Sequence, residues 1–453
     1  MQSKQIRKHY GMTLSACLWL GLFPLMQGGS YSHITRDKWT CMLILFIFTY
    51  GCFLYDWILS IYRQKKTGRK SVIRIYIFPL LFACLLFLWT ALSSFCSGVS
   101  PATWWYGESA RMEGLFSQLI YFLIFIFFFF SRVHLKPVLY SAAAGLVFFG
   151  VIALLQRAGG NPLGLYPPGR SYELNPEFQS TIGNIDMGTG FLLLLAGLFF
   201  YSILDPFLTA RSLRRLENPS KGSAEISRHQ LLPLIVYIPA FLFTLYLIVT
   251  MDVQFGVISL GVLFLVTFFR FLPKSLRLPL LILLLVAVFL VVWFWPGQSG
   301  GLWELHEILH GRGRMSFGSD RVAVWIYSLQ LAGKNLLLGG GSGTFPARFN
   351  QYLTDNGLVI PNEQDGVPLP DYFDNPHNEY IAQLTDHGIP ALFLFLALLL
   401  FVVFRRREGC LPLLTPCSAA VLCYMVQAFF SFSVCIVAPM FWMILGISFS
   451  ECK

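Results

Sequence analysis

The stretch LRLPLLILLLVAVFLVVWFW at 276–295 carries Arg277 near its start and no other charge. Wound as a helix, about 20 such residues rise about 30 Å, the hydrocarbon thickness of a bilayer. A surface so uniformly apolar calls for lipid as its solvent. Working outward from it, comparable runs lie at 11–27, 40–62, 75–95, 113–131, 137–157, 187–204, 231–250, 253–271, 388–404, 411–430 and 432–449. They predict an all-α polytopic membrane protein with about twelve transmembrane helices and one large extracytoplasmic loop that contains short helices. Residues 1–295 hold spans one to nine, 296–387 the loop with its interfacial helices, and 388–453 spans ten to twelve.

Composition points the same way. Of the 453 residues, 56% are hydrophobic and 12% charged, against about 25% charged in a soluble domain. The net charge of +10 raises the question of a nucleic-acid partner. The basic residues, however, form short clusters between apolar runs and no single patch or stripe, which is the pattern of topology signals. Nine of the ten cysteines sit in or beside apolar runs and Cys452 in the tail, so they read as packing residues with no disulfide framework or metal spacing. The N-terminal run after Lys4, Arg7 and Lys8 lacks a small-residue cleavage site and reads as an uncleaved first helix.

With the N-terminus cytoplasmic, the loops predicted inside carry Arg63, Lys65, Lys66, Arg69, Lys70 and Arg74; Arg132 and Lys136; Arg211, Arg214, Arg215, Lys221 and Arg228; Arg270, Lys274 and Arg277; and Arg405, Arg406 and Arg407. The alternation holds at every loop and puts both termini in the cytoplasm.

The loop 296–387 is the one long polar segment, and its length argues for a function. Its segment SDRVAVWIYSLQLAGKN reads as a helix opened by Ser319 and Asp320, with Val322, Trp325, Ile326 and Leu329 on one face. GGGSG at 339–343 ends it.

Four candidate sites fall on the predicted outer side. In PHNEYIAQLTDHGIPA (376–391), a helix would align His377, Ile381, Leu384 and Gly388, with His377 at its N-terminus. The helix dipole there keeps the imidazole neutral and available as a base; the plainer reading is a capping or interfacial histidine. Arg321, in the first turn of the loop helix, opposes the dipole and suits an anion site, or else pairs with Asp320, Glu304 or Glu307. STIGNIDMGTG (180–190) offers Ser180, Thr181 and Asn184 as donors and Asp186 at the membrane edge, with Arg157 and Arg170 in the preceding loop as further anion contacts; alone, it is simply a capped helix start. In ARMEGL (110–115), Arg111 and Glu113 read as interface anchors that pair with each other or with lipid headgroups. No Walker, Rossmann or nucleophile-elbow motif is present, which argues against ATP hydrolysis and hydride transfer.

At these residues the sequence resembles the O-antigen ligase and polymerase superfamily, bacterial membrane glycosyltransferases of the GT-C type. The resemblance rests on ARMEGLFSQLIYF, STIGNIDMGTGFLLL, DRVAVW followed by GGGSGTF, PHNEYIAQLTDHGIPALF, and the ending with QAFF, Pro439 and FWMILGI. It covers most of the chain from about residue 100 onward. It implies an undecaprenyl-diphosphate-linked glycan as donor, a glycan, lipid or protein hydroxyl as acceptor, and membrane lipid as a further partner. It also implies a site at the outer face of the bacterial cytoplasmic membrane. The family's histidine and following glycine match His377 and Gly388, and its loop arginine matches Arg321. Catalytic roles then go to His377 as base and Arg321 as anion holder, and substrate binding to Arg111, Arg157, Arg170, Asn184, Asp186 and Gly388. No metal or other cofactor is implied. Two departures stand out. TMDVQFGVISL (250–260) lacks the Ser-Arg pair many ligases carry, which points away from lipid A as acceptor, and GNIDMG lacks the Asn-Pro-Asn form. Within the class, a polysaccharide polymerase or protein O-glycan ligase is the alternative. A transporter or flippase is the alternative from another class, but the ionisable residues cluster at the outer edge and the internal symmetry typical of transporters is not visible.

Overall fold

The computed structural model describes residues 9–67, 76–108, 111–216, 228–360, 373–405 and 414–450. The basic residues at 4–8, 69–74, 221, 406–407 and 453 lie outside them. The apolar runs have become helices, as their composition demands where no water satisfies a backbone N–H or C=O. In chain order these are α1 (Tyr10–Gly21), α2 (Ile34–Thr67), α3 (Ile77–Phe95), α4 (Pro101–Tyr106), α5 (Leu115–Phe129), α6 (Leu135–Arg157), α7 (Ile185–Leu216), α8 (Arg228–Leu231), α9 (Leu234–Thr250), α10 (Gln254–Phe271), α11 (Lys274–Trp293), α12 (Gly301–Leu309), α13 (Arg321–Gly333), α14 (Phe345–Asp355), α15 (Glu379–Phe404), α16 (Pro416–Gln427) and α17 (Ala438–Ser450). A two-stranded antiparallel hairpin, β1 (Phe178–Gln179) with β2 (Gly183–Asn184), precedes α7.

Among the described residues, eight helical segments are long and apolar enough to cross a membrane, and four more apolar segments, Tyr10–Leu25, Leu115–Phe129, Pro416–Gln427 and Ala438–Phe449, are 10–17 residues long. Together these twelve fall on the twelve apolar runs. The short four differ from the expected spans because turns take up their flanks. The chain between α16 and α17 is the clearest case: residues 428–437 are not α-helical, although the sequence there is almost continuously apolar. Irregular backbone at such depth is tolerated where it is buried in protein or lines a cavity, and Phe432, Ser433 and Val434 do line one.

The helices close around a large apolar core in which α5 packs on α17, α7 on α16, α3 on α15 and α1 on α6. Lys38 is buried within it and donates to the carbonyls of Phe23 and Pro24 at 3.0 and 2.8 Å, satisfying backbone that the end of α1 leaves open. In contrast, α11 buries Val292 alone and turns its leucines and valines outward, as a lipid-bathed helix does.

The 296–387 segment builds a small core of its own from Ala323, Val324, Leu331, Phe345, Phe349, Leu353 and Ile360. The face expected on α13 is not the one it buries. Ala323, Val324, Ser328, Leu331 and Ala332 are inside, while Ile326 and Leu329 are exposed; the small residues permit close packing on α14 and α15. Asp320 stands at the N-cap with φ 64° and makes no side-chain cap bond, so the expected capping is absent there.

α15 is two helices joined at a kink. Gly388 has φ 76° and ψ −177°, and a Cβ there would meet the Leu337 carbonyl oxygen at 2.1 Å. Only glycine accepts both the conformation and the contact. The single face joining His377 to Gly388 therefore does not form; Gly388 serves the packing of the 336–341 strand of backbone against α15, where the Ile389 N–H donates to Leu336 at 2.8 Å.

Candidate functional site

Asn378 caps α15, its side-chain oxygen accepting from the N–H groups of Tyr380 and Ile381 at 3.0 and 3.1 Å. His377 is the residue before this cap, with φ 48°. Its own N–H donates to Asn375 Oδ1 at 2.8 Å, and Trp325 of α13 donates its indole N–H to the Pro376 carbonyl at 2.9 Å. The imidazole is thus held from both sides by main-chain anchors. Its ring stands perpendicular to Phe432, with centroids 5.1 Å apart.

Phe432 also carries Arg111, whose guanidinium carbon lies 4.3 Å from the ring centroid. Arg111 Nε donates to Asp374 Oδ2 at 2.6 Å. The expected pairing of Arg111 with Glu113 gives way to this bond, while Glu113 accepts from the Tyr121 hydroxyl at 2.7 Å. From the other side comes Arg321, at the first turn of α13. It reaches Asp186 of α7 at 3.8 Å and the Gly318 carbonyl at 3.4 Å, contacts at or beyond the limit of a hydrogen bond. Two of the three carboxylates weighed as its partners are engaged elsewhere: Glu304 accepts from Gly318 N–H, and Glu307 holds Arg312 at 2.6 and 2.8 Å.

Two polar atoms in this cluster are buried without a hydrogen-bond partner among the described residues: His377 Nδ1 and Arg321 Nε. Buried polar atoms are nearly always satisfied, so two orphans in one place call for an explanation. Backbone strain gathers there as well. Of the six non-glycine residues with positive φ among the described residues, His377 is in the site, and Met112, Ser319 and Asp320 lie within two residues of Arg111 or Arg321.

Burial lowers the His377 pKa to about 4, the Arg321 charge and then Arg111 push it the same way, and Asp374 opposes them. The ring is therefore neutral near pH 7, as the helix-dipole argument anticipated, although the cause is desolvation and neighbouring guanidiniums.

Asp186 and Asn184 join the site at the start of α7. Asn184 Oδ1 accepts from the Asp186 N–H at 2.9 Å and acts as the helix cap, leaving Asp186 to face Arg321. Arg157 and Arg170 are held elsewhere. Arg157 donates to Gln179 at 2.7 and 3.0 Å and so braces the β-hairpin, while Arg170 is exposed and reaches Asn175 at 3.5 Å. Neither is among the charges acting on His377.

Reading the sequence missed Asp374 and Phe432. The first stands three residues before His377 in DNPH, a signal that was available; the second was hidden in an apolar run. It also passed over HEILH at 306–310, which has the i, i+4 histidine spacing of a metal helix. There Arg312 occupies Glu307, and among the described residues no group of three His, Cys, Asp or Glu side chains converges on a metal position.

The fold and these contacts define a multi-pass α-helical membrane protein with a buried site of one neutral imidazole between two guanidiniums. Residues 239–396, a segment that holds Arg321 and His377, match the family described as O-antigen ligase. That match supports a membrane function of the glycan-ligase or glycan-polymerase type. A comparison with curated proteins finds no match.

Proposed function

We propose that the chain is a metal-independent glycosyltransferase that moves a glycan from an undecaprenyl-diphosphate carrier to an acceptor hydroxyl, at the outer face of a bacterial cytoplasmic membrane that it crosses about twelve times with both termini inside. The acceptor is a glycan, a lipid or a protein. The observation that carries this reading is the pair of buried atoms without a partner among the described residues, His377 Nδ1 and Arg321 Nε, beside a second guanidinium at Arg111.

The donor sugar is joined to a diphosphate that is already a good leaving group at neutral pH. In the transfer, the acceptor oxygen bonds to the anomeric carbon, the bond from that carbon to the diphosphate oxygen breaks, and its electron pair leaves with the lipid diphosphate. Negative charge grows on the departing oxygen, where Arg321 and Arg111 stabilise it. The acceptor proton passes to the free ring nitrogen of His377. Asp374 holds the Arg111 guanidinium in place before the donor arrives, while Asp186 faces Arg321 only at 3.8 Å.

Purified protein supplied with a lipid-diphosphate glycan and an acceptor, in buffer containing EDTA, is expected to release lipid diphosphate in step with glycan transfer. Donor turnover without transfer, or no turnover at all until a metal is added, refutes the scheme.

The pH dependence follows from the site. The rate constant kcat/KM reports ionisations of the free enzyme. With the His377 pKa at about 4, the imidazole stays unprotonated as pH falls from 7 to 5 and loses its basic nitrogen only below about 4. The acid limb of kcat/KM is expected near pH 4. A limb near the ordinary histidine value, about 6.5, overturns the depressed pKa.

A further inference from the structure

Beside Arg111 and Asp374 the protein encloses a cavity of about 100 Å³ that the transfer chemistry above does not use. On such a measure one water needs about 10–15 Å³, so the space takes several waters or a ring of comparable size. Its walls have a consistent chemistry. Two carboxyls, Glu113 and Glu379, each accept from a buried tyrosine, Tyr121 at 2.7 Å and Tyr424 at 2.6 Å. Neither carboxyl is paired with a cation among the described residues. Gln118 and Gln383 add planar amides, and Trp442, Phe345 and Phe432 add aromatic surface. A smaller space of about 20 Å³ shares Gln118, Gln383 and Trp442 and continues toward α3.

A carboxylate has about four acceptor positions; a tyrosine bond fills one on each, and on Glu113 the Gln118 amide at 3.3 Å and the Cys435 N–H fill others, so Glu379 keeps the most capacity. What remains is an excess of acceptors, beside amides that both give and take, set against flat apolar rings. The ligand that matches is uncharged, rich in hydroxyl donors, and apolar on one face. A pyranose ring has those three properties. An anionic sugar would have to bury its charge against two carboxyls with no cation paired to them among the described residues, and a metal ion would lack a third protein ligand among the described residues.

We propose that this cavity seats an uncharged sugar, the ring joined directly to the donor's diphosphate, with Arg111 at its mouth marking where sugar ends and diphosphate begins. The inference rests on the reading above that Arg111 and Arg321 hold the diphosphate.

The test is equilibrium binding to the full chain in detergent. Farnesyl diphosphate serves as the sugar-free probe, and farnesyl diphosphate bearing glucose, galactose, N-acetylglucosamine or N-acetylgalactosamine supplies the sugar. At least one sugar-bearing probe is expected to bind about 10-fold or more tighter than farnesyl diphosphate, the gain that one or two hydrogen bonds to charged groups provide. Gln118→Ala and Glu379→Gln should each remove most of that gain and leave farnesyl diphosphate binding unchanged; two variants on different helices guard against one that fails to fold. If no sugar strengthens binding, or if the gain survives both substitutions, the sugar site is refuted. If farnesyl diphosphate fails to bind while a sugar-bearing probe binds and responds to the variants, the diphosphate reading falls and the sugar site stands.

Discussion

Replacing His377 by alanine is expected to cut turnover by about 10²–10⁴-fold, the range for loss of a general base, while the affinity for lipid diphosphate stays within a few-fold. The asymmetry comes from the site's geometry. The imidazole is neutral, flanked by Arg321 and Arg111, and its Nδ1 has no partner among the described residues. A neutral ring adds little to the binding of a diphosphate, yet its unpartnered nitrogen is able to take a proton beside the two guanidiniums. Its removal also deletes an edge contact with Phe432, so the variant should be checked for an unchanged melting temperature before its rate is read. Single-turnover transfer by His377→Ala at the wild-type rate would remove the base from the mechanism. A fall in donor affinity as large as the fall in rate would make His377 a binding residue instead.

The parts of this protein that were legible in the sequence are those governed by local pattern. Apolar length alone located the helices, because backbone in lipid has no other way to satisfy itself. The kink in α15 was partly legible, since Gly388 and Pro390 punctuate that run. Tertiary choices were not. Hydropathy cannot distinguish Phe432 in a span from Phe432 in a buried turn, as both are apolar surroundings, and it was the turn that brought the ring between His377 and Arg111. Arginines close in sequence to the α7 motif looked like natural partners for an anion, but Arg157 points along the end of α6 to Gln179, and Arg170 rides on the loop surface. Asp374 and Asp186 show the converse. Residues 263 positions from Arg111 and 135 from Arg321 along the chain became the carboxylates that face them, and only packing decides such pairs. The helix α13 makes the same point, because its small residues and not its large ones turned inward.

The roles of the two site arginines differ in a way their surroundings explain. Arg111 is fixed by a short bond to Asp374 and by the Phe432 face, so part of its donor capacity is already spent. Arg321 touches Asp186 only at 3.8 Å, has a buried Nε without a partner among the described residues, and stands at the first turn of α13, where the helix N–H groups favour an anion. Of the two it is the less committed within the described residues, and so the one with more to offer a diphosphate. Hydrogen bonds between charged groups contribute about 1.5–3 kcal/mol, so Arg321→Ala is expected to weaken binding of lipid diphosphate by about 10–100-fold. Arg321→Lys should recover only part of this, because an ammonium keeps the charge and loses the planar fork. Asp186→Asn provides the opposite arm: removing the carboxylate that competes for the guanidinium should leave diphosphate affinity equal or tighter. Equilibrium binding of a sugar-free polyprenyl diphosphate to the purified variants reads all three. If Arg321→Ala binds as the wild type does, Arg321 is no part of the anion site; if Asp186→Asn loses affinity as steeply as Arg321→Ala, the aspartate is needed to aim the guanidinium and does not compete with the ligand.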